Sequence, residues 1–145
     1  MTTSSENQAQ WSAVLALQQA THRVLHILSV ELAHFGMTAS EINAMANLAG
    51  HPGSTVSELA AAAGIRSTTM TSVLDRLEKR GLVRRGTAPG DRRAVRIEMT
   101  DPGRAAAGAI DAAIAAIERR ALAGLPAEAR SGLQAALERF AEATA

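Results

Sequence analysis

The sequence predicts a mainly α chain with one small β-hairpin, and three observations predict it. Two short helical stretches joined by a glycine turn occupy residues 55–80; a basic hairpin pattern with a Pro-Gly turn follows directly; long helices with apolar stripes lie on either side. Helix, turn, helix and hairpin is the order of a winged helix-turn-helix. The N- and C-terminal helices are then left to form a dimerisation lobe. The expected division is residues 1–37 for the first helix of that lobe, 38–103 for the winged portion and 104–145 for the remaining helices of the lobe.

The first helix of the pair opens at Thr55, with Glu58 at the position that completes a capping box. Gly64 suits its end, because glycine tolerates left-handed dihedrals. Ile65 plugs the turn, and the second helix runs from about Ser67 to Arg80, stopped by Gly81. Met70, Val73, Leu74 and Leu77 share one stripe of this helix and are expected to pack inward. Thr68, Thr71, Ser72, Asp75, Arg76 and Lys79 make the opposite face. Small hydroxyl residues near a helix N-terminus with cations further along suit a DNA major groove, where Ser and Thr reach base edges and phosphates. Taken alone, the same face also reads as an ordinary solvated one.

The hairpin adds to the first reading. Residues 82–85 and 94–99 have strand character, with Val95, Ile97 and Met99 on one face of the second strand. Between them the tip GTAPGDRR carries the turn pair Pro89-Gly90. Arg84, Arg85, Arg92, Arg93 and Arg96 cluster around it. An arginine-bearing tip beside a groove-sized helix can enter a neighbouring minor groove, whose negative potential attracts guanidinium groups. The candidate DNA-binding residues are Ser67, Thr68, Thr69, Thr71, Ser72 and Arg76 on the helix, with Arg92 and Arg93 on the hairpin.

Three segments carry a family resemblance: IRSTTMTSVLDRLEKRGLV from Ile65 to Val83, then Asp91-Arg92-Arg93, then IEMTDPG from Ile97 to Gly103. Their D-R-L-E-x-R-G-L-V, D-x-R and T-x-x-G patterns resemble the MarR family of bacterial transcriptional regulators. The resemblance implies that Arg93 reaches the minor groove and that Asp91 orients the wing through charge pairing. It implies base or phosphate contacts for Ser67, Thr68, Thr71 and Ser72, and a short third wing strand at Ser54 and Thr55. Many relatives carry Arg at the position of Ser72, so the operator sequence does not transfer from them. The function expected is a dimeric, sequence-specific DNA-binding regulator, a repressor released by a small-molecule effector held between the lobes. The alternative is a winged-helix interaction module that docks protein or nonspecific DNA, with a metal-responsive regulator using His22 and His26 ranked behind it.

Composition sets bounds. The chain has 145 residues, 47% apolar but only 2% aromatic, with net charge +1. Residues 66–104 hold ten Lys or Arg against five Asp or Glu, a local charge of +5, and the remainder carries −4. A basic centre between acidic arms is the footprint of a local nucleic-acid surface. Cysteine is absent, which excludes disulfides and thiolate metal sites. No run of about 18 apolar residues and no cationic-then-apolar leader are present, so a cytoplasmic location without a membrane partner is expected.

Along the chain, Met1 to about Asn7 reads as a frayed tail and Gln8 to Phe35 as one helix. Val14, Leu17, Thr21, Val24, Leu25, Leu28, Leu32 and Phe35 project to one side, with Trp11 at the edge. Gly36 ends that helix, and Thr38 with Glu41 caps the next, whose inner face is Ile42, Met45, Ala46 and Ala49. After the wing, Asp101 is the expected N-cap and Pro102 the first helical residue. This helix carries Ile110, Ile114, Ile117 and Ala121 to about Ala123, and a last helix from Pro126 carries Leu133, Leu137 and Phe140. Terminal stripes without a partner domain are expected to interleave with those of a second copy. An isologous dimer then requires an inverted-repeat operator with half-sites about one helical turn apart.

His22 and His26 stand four residues apart, a spacing that lets two imidazoles share a metal. A third ligand would have to come from His34, His51 or a partner chain, and packing at the stripe's border is the plainer reading. The pair also lies where the resemblance implies an effector crevice, which makes His22 and His26 weak candidates for that pocket. No G-x-S-x-G, phosphate-binding glycine loop, H-E-x-x-H or cysteine nucleophile occurs, so no enzyme and no cofactor are expected.

Overall fold

The computed structural model describes residues 11–88 and 90–144; the expected frayed tail and the expected helical start at Gln8 lie outside them, and within them the first helix begins later than expected, at Ala13, because Ser12 takes extended dihedrals and caps it by accepting from the Leu15 amide. The elements are α1 (Ala13–Glu31), a single 3₁₀ turn (Ala33–Phe35), α2 (Ala39–Gly50), α3 (Val56–Ala63), α4 (Ser67–Lys79), β1 (Val83–Ala88), β2 (Asp91–Met99), α5 (Asp101–Ala121) and α6 (Ala127–Ala143). The chain is mainly α with one antiparallel hairpin. It divides into two compact units between Ala113 and Ile114.

In the first unit α1 packs on α2, and α2, α3 and α4 pack on one another. The core is built from Ile42, Met45, Leu48, Leu59, Met70, Val73, Leu74 and Leu77, joined by Val83 and Ile97 of the hairpin and Ile110 of α5. The stripe read from α4 is therefore fully inward. Each such aliphatic side chain contributes about 1.5–3 kcal/mol by leaving water.

Both expected capping boxes form. The Glu41 amide donates to the Thr38 hydroxyl oxygen at 3.3 Å and the Thr38 amide to the Glu41 carboxylate at 3.1 Å, with the same reciprocal pair at Thr55 and Glu58. The inner face of α2 is rotated from expectation. Ala44, Leu48 and the charged Glu41 are buried, whereas Ala46 is half-buried and Ala49 exposed.

The single helix expected up to Phe35 ends instead at Glu31. Leu32 leaves helical dihedrals, and the 3₁₀ turn closes on Gly36 at φ +64°. The break frees the carbonyls of Phe35 and Gly36, which accept hydrogen bonds from the Arg80 guanidinium. Of the apolar stripe on α1, Leu28 and Leu32 are buried while Val14 and Val24 remain exposed, as does Trp11.

The hairpin is longer than its pattern indicates. Strand pairing runs from Val83 opposite Met99 to Thr87 opposite Val95, then jumps to Ala88 opposite Asp91. Most of the segment read as a tip is thus strand, and Arg92, Arg93 and Ala94 occupy the register shift. Irregularities of this kind bend a strand and re-aim its side chains. The expected third strand is present as one bridge, Thr55 opposite Arg96, extended by the Ile97 amide donating to the Ser54 carbonyl at 2.8 Å.

The α5 cap also differs by one residue. The Thr100 hydroxyl oxygen accepts from the Gly103 amide at 3.1 Å, so Thr100 is the N-cap and Asp101 lies in the first turn. The Thr100 hydroxyl donates onward to the Gly81 carbonyl at 2.5 Å. A Cβ on Gly103 would stand 1.9 Å from the Leu82 carbonyl oxygen, a backbone atom that cannot swing aside. That contact explains both fixed positions of T-x-x-G: the threonine caps α5, and the glycine lets its first turn lie on the chain leaving α4.

In the second unit, Gly124 closes the turn after α5 at φ +76°, and the Arg130 guanidinium donates to the Leu122 carbonyl at 2.9 Å. No described residue of this unit is fully buried, and Leu133 and Leu137 are 45% and 41% exposed. No helix among the described residues is long and apolar enough to cross a membrane.

Replacing Gly103 with Ala is expected to destabilise the protein by about 1–3 kcal/mol in urea unfolding, the usual range for overpacking. At Gly108, also on α5, an added methyl group would meet nothing within 4 Å, so Gly108→Ala serves as the control. That control should be neutral or stabilising by up to about 1 kcal/mol. Equal stability of the two variants would refute the close approach.

Candidate nucleic-acid interface

The face of α4 opposite the core is a row of small hydroxyl side chains. Ser67, Thr68, Thr69, Thr71 and Ser72 are all exposed. No side chain caps the helix N-terminus at Arg66, so the first-turn amides keep their capacity to donate. The Thr71 hydroxyl donates to the Ser67 carbonyl at 2.9 Å, which fixes its rotamer and leaves the oxygen's acceptor side outward. Arg66, which the sequence reading passes over, is exposed at the same end. The signal for it is a cation set directly before a run of hydroxyl residues at a helix start.

Arg76 does not stand free on this face. Its Nε donates to Glu41 Oε1 at 3.0 Å, and Arg80 Nη1 donates to Glu41 Oε2 at 3.1 Å. The carboxylate they share is 3% exposed, while the Arg76 side chain is 47% exposed. Arg76 is thus a tie between α4 and α2 whose outer edge still meets solvent.

The five hairpin arginines divide sharply. Arg84 pairs across the strands with Glu98 at 3.0 Å, and Arg96 donates to the Gly53 carbonyl at 2.9 Å with Glu58 at 3.8 Å. Arg85 reaches back to α4, its Nη2 to Asp75 at 2.7 Å and its Nη1 to Glu78 at 3.0 Å. Among the described residues, only Arg92 and Arg93 of the five have no ion-pair or hydrogen-bond partner for their guanidinium groups. Asp91 holds the tip differently from the charge pairing implied by the resemblance: its carboxylate accepts the Arg93 backbone amide at 3.0 Å. That bond shapes the backbone of the tip and leaves the Arg93 side chain free.

Each fixed position of D-R-L-E-x-R-G-L-V has a contact that accounts for it. Asp75 and Glu78 receive Arg85, Arg76 and Arg80 grip Glu41, and Leu77 and Val83 are buried. Gly81 takes φ +72° and ends α4 with Leu82, whose amide donates to the Leu77 carbonyl.

His22 and His26 line a shallow groove on α1 with Arg23 and Ile27. His34 stacks at 4.2 Å from Phe35, and His51 lies 3.1 Å from the Asn47 carbonyl. Among the described residues no group of three His, Asp or Glu side chains is placed to hold a metal. A larger cavity of about 630 Å³ opens between the end of α2, the base of the hairpin and α5, lined by Leu48, Pro52, Arg84, Glu98, Met99, Arg104, Ala107 and Asp111. Neither histidine lines it.

A helix-turn-helix with an exposed hydroxyl face, flanked by a hairpin carrying free arginines, defines a winged helix-turn-helix protein. Residues 35–94 match the family model described as MarR family. The chain is 31% identical to the HTH-type transcriptional repressor Rv2887 of Mycobacterium tuberculosis, over 78% of this chain and 81% of that protein. It is 34% identical to a putative transcriptional regulatory protein for the hcr operon of Thauera aromatica, over 54% of this chain and 48% of that one. It therefore spans about half the length of the Thauera relative. Solved structures agree: a MarR-family regulator from Silicibacter pomeroyi (TM-score 0.77, 26% identity, 88% and 86% covered) and CouR from Rhodococcus jostii RHA1 bound to p-coumaroyl-CoA (0.79, 25%, 87% and 89%). PcaV from Streptomyces coelicolor, in complex with its natural ligand, aligns with TM-score 0.74 at 26% identity over 94% and 96%. The chain belongs to the MarR family.

Removing the buried carboxylate by Glu41→Ala takes a hydrogen bond from the Thr38 amide and a charged partner from two arginines. Because both guanidinium groups reach solvent, the expected loss is about 2–3 kcal/mol, below that of a fully buried pair. Urea unfolding measures it, and a loss under half a kilocalorie would remove Glu41 from its place in the fold.

Proposed function

We propose that two copies of this chain bind double-stranded DNA at an inverted repeat and repress transcription, and that a small molecule releases them. The observation that carries this reading is the pairing pattern of the hairpin: Arg84, Arg85 and Arg96 are tied to the protein, and Arg92 and Arg93 at the tip are left for a partner. Beside them the hydroxyl face of α4 suits the major groove, with Ser67, Thr68, Thr69, Thr71 and Ser72 contacting base edges or phosphates. Arg66 adds a phosphate contact at the helix N-terminus, and Arg76 a peripheral one at most, since Glu41 holds its Nε.

The dimer is supported by apolar side chains that each unit leaves uncovered: Trp11, Val14, Leu15 and Val30 in the first, Leu133 and Leu137 in the second. Apolar side chains left uncovered along a helix are the kind of surface that a partner chain covers. The arms outside residues 38–103 are accordingly assigned to dimerisation. The effector is assigned to the 630 Å³ cavity, whose size and mixture of apolar and charged lining suit a small amphipathic molecule. Relatives that hold small molecules support this, and such a ligand must favour the DNA-free arrangement, because equal affinity for both states shifts nothing.

The test is binding to the DNA upstream of the protein's own gene against excess random competitor. Wild type should prefer the upstream fragment, and Arg93→Ala should weaken that binding by about 1–3 kcal/mol. Thr68→Ala and Ser72→Ala should change the ranking of operator variants. No preference over random DNA would favour a nonspecific docking module, and unaltered affinity of Arg93→Ala would take the wing out of the interface. Sedimentation at micromolar concentration should find a dimer; a monomer would overturn the inverted-repeat geometry.

A further inference from the structure

We propose that Arg85 is a positioning residue for DNA recognition, locking the hairpin to α4 and so setting the spacing between the helix's hydroxyl face and the arginines of the tip. The proposal rests on the DNA-binding reading above and adds a residue that this reading leaves without a role.

Arg85 shares a strand face with the buried Val83, because side chains alternate along β1. Its guanidinium fork spans two carboxylates three residues apart on α4, one nitrogen on Asp75 and the other on Glu78. The side chain is only 30% exposed, against 68% for its strand neighbour Arg84. A two-stranded ribbon twists easily and is marginal by itself. The fork supplies a charged tie from it to the recognition helix, and a planar guanidinium holds such a tie in a defined direction. Moving Arg85 to a phosphate would strand two carboxylates beside a polyanion. Arg85 therefore aims the tip, and Arg92 and Arg93 make the contact.

Two roles must be separated, aiming the hairpin and merely neutralising Asp75 and Glu78. The double variant Arg85→Gln with Glu78→Gln keeps the net charge and removes the fork. It should lose about tenfold in preference for the upstream fragment over random DNA. Adding Arg93→Ala to it should cost less than Arg93→Ala costs in wild type, because the tip is already misplaced. Arg85→Lys, which keeps the charge but cannot span both carboxylates, should show the same loss and provides a second, conservative variant. Wild-type preference in the double variant, or full additivity with Arg93→Ala, would each overturn the proposal.

A measurement without DNA separates this inference from the functional reading. The chain has no cysteine, so Thr69→Cys and Arg92→Cys take spin labels without background. In labelled protein diluted with unlabelled, the distance distribution between them should broaden when Arg85 and Glu78 are replaced together. An unchanged distribution in a folded variant would overturn the proposal whatever the DNA result. Failure of wild type to prefer the upstream fragment would instead overturn the DNA-binding reading.

Discussion

A buried carboxylate on α2 holds α4 in place. Glu41 accepts the Thr38 amide and Arg80 at one oxygen and Arg76 at the other, so one side chain caps its own helix and fastens another. Desolvating a carboxylate costs several kcal/mol unless its lone pairs are filled. Here three donors fill them, two of them charged. Arg80 then extends the grip to the carbonyls at the broken end of α1. The helix is held by ion pairs along one edge and by Met70, Val73, Leu74 and Leu77 along its underside. Its hydroxyl face is left over because no part of the first unit needs it.

The same division governs the basic charge. Residues 66–104 carry an excess of five positive charges, yet most of those arginines are committed to the protein's own geometry. Arg76 and Arg80 serve α2, Arg85 serves α4, Arg84 serves the partner strand and Arg96 the loop before α3. Among the described residues, the hairpin arginines left without a partner, Arg92 and Arg93, stand where the strand register shifts, and Arg66 and Lys79 stand exposed at the two ends of α4. The useful electrostatic feature is thus the place of the free cations rather than the sum.

Local chemistry is legible in the sequence, and long-range chemistry is not. Both capping boxes, the buried stripe of α4 and the glycine stop at Gly81 follow from spacings of three or four residues, which a helix makes into contacts. The Glu41 ties join side chains 35 and 39 residues apart, and no local pattern marks them. Arg76 accordingly reads as an outer-face cation. The hairpin exceeds its sequence pattern because Gly86, Thr87 and Ala88 have weak strand propensity as a group, while pairing with β2 carries them into the ladder. Asp101 and Thr100 are both good caps by composition, and the choice falls to Thr100 because its hydroxyl also reaches the Gly81 carbonyl.

That last contact couples α5 to the end of α4. Thr100 donates its amide to the Leu82 carbonyl and its hydroxyl to that of Gly81, and Gly103 lies against Leu82 without a side chain between. The first turn of α5 is therefore fixed to the chain leaving α4, with no soft layer to absorb a displacement. Arg104 and Ala107 of α5 face the same cavity as Arg84, Glu98 and Met99 of the hairpin. Packed elements of this kind shift as bodies rather than deform. On the proposed function, a molecule that wedges α5 from the hairpin base must either break the Thr100 contacts or carry the end of α4 with it, and the second course moves the hydroxyl face out of register with the groove.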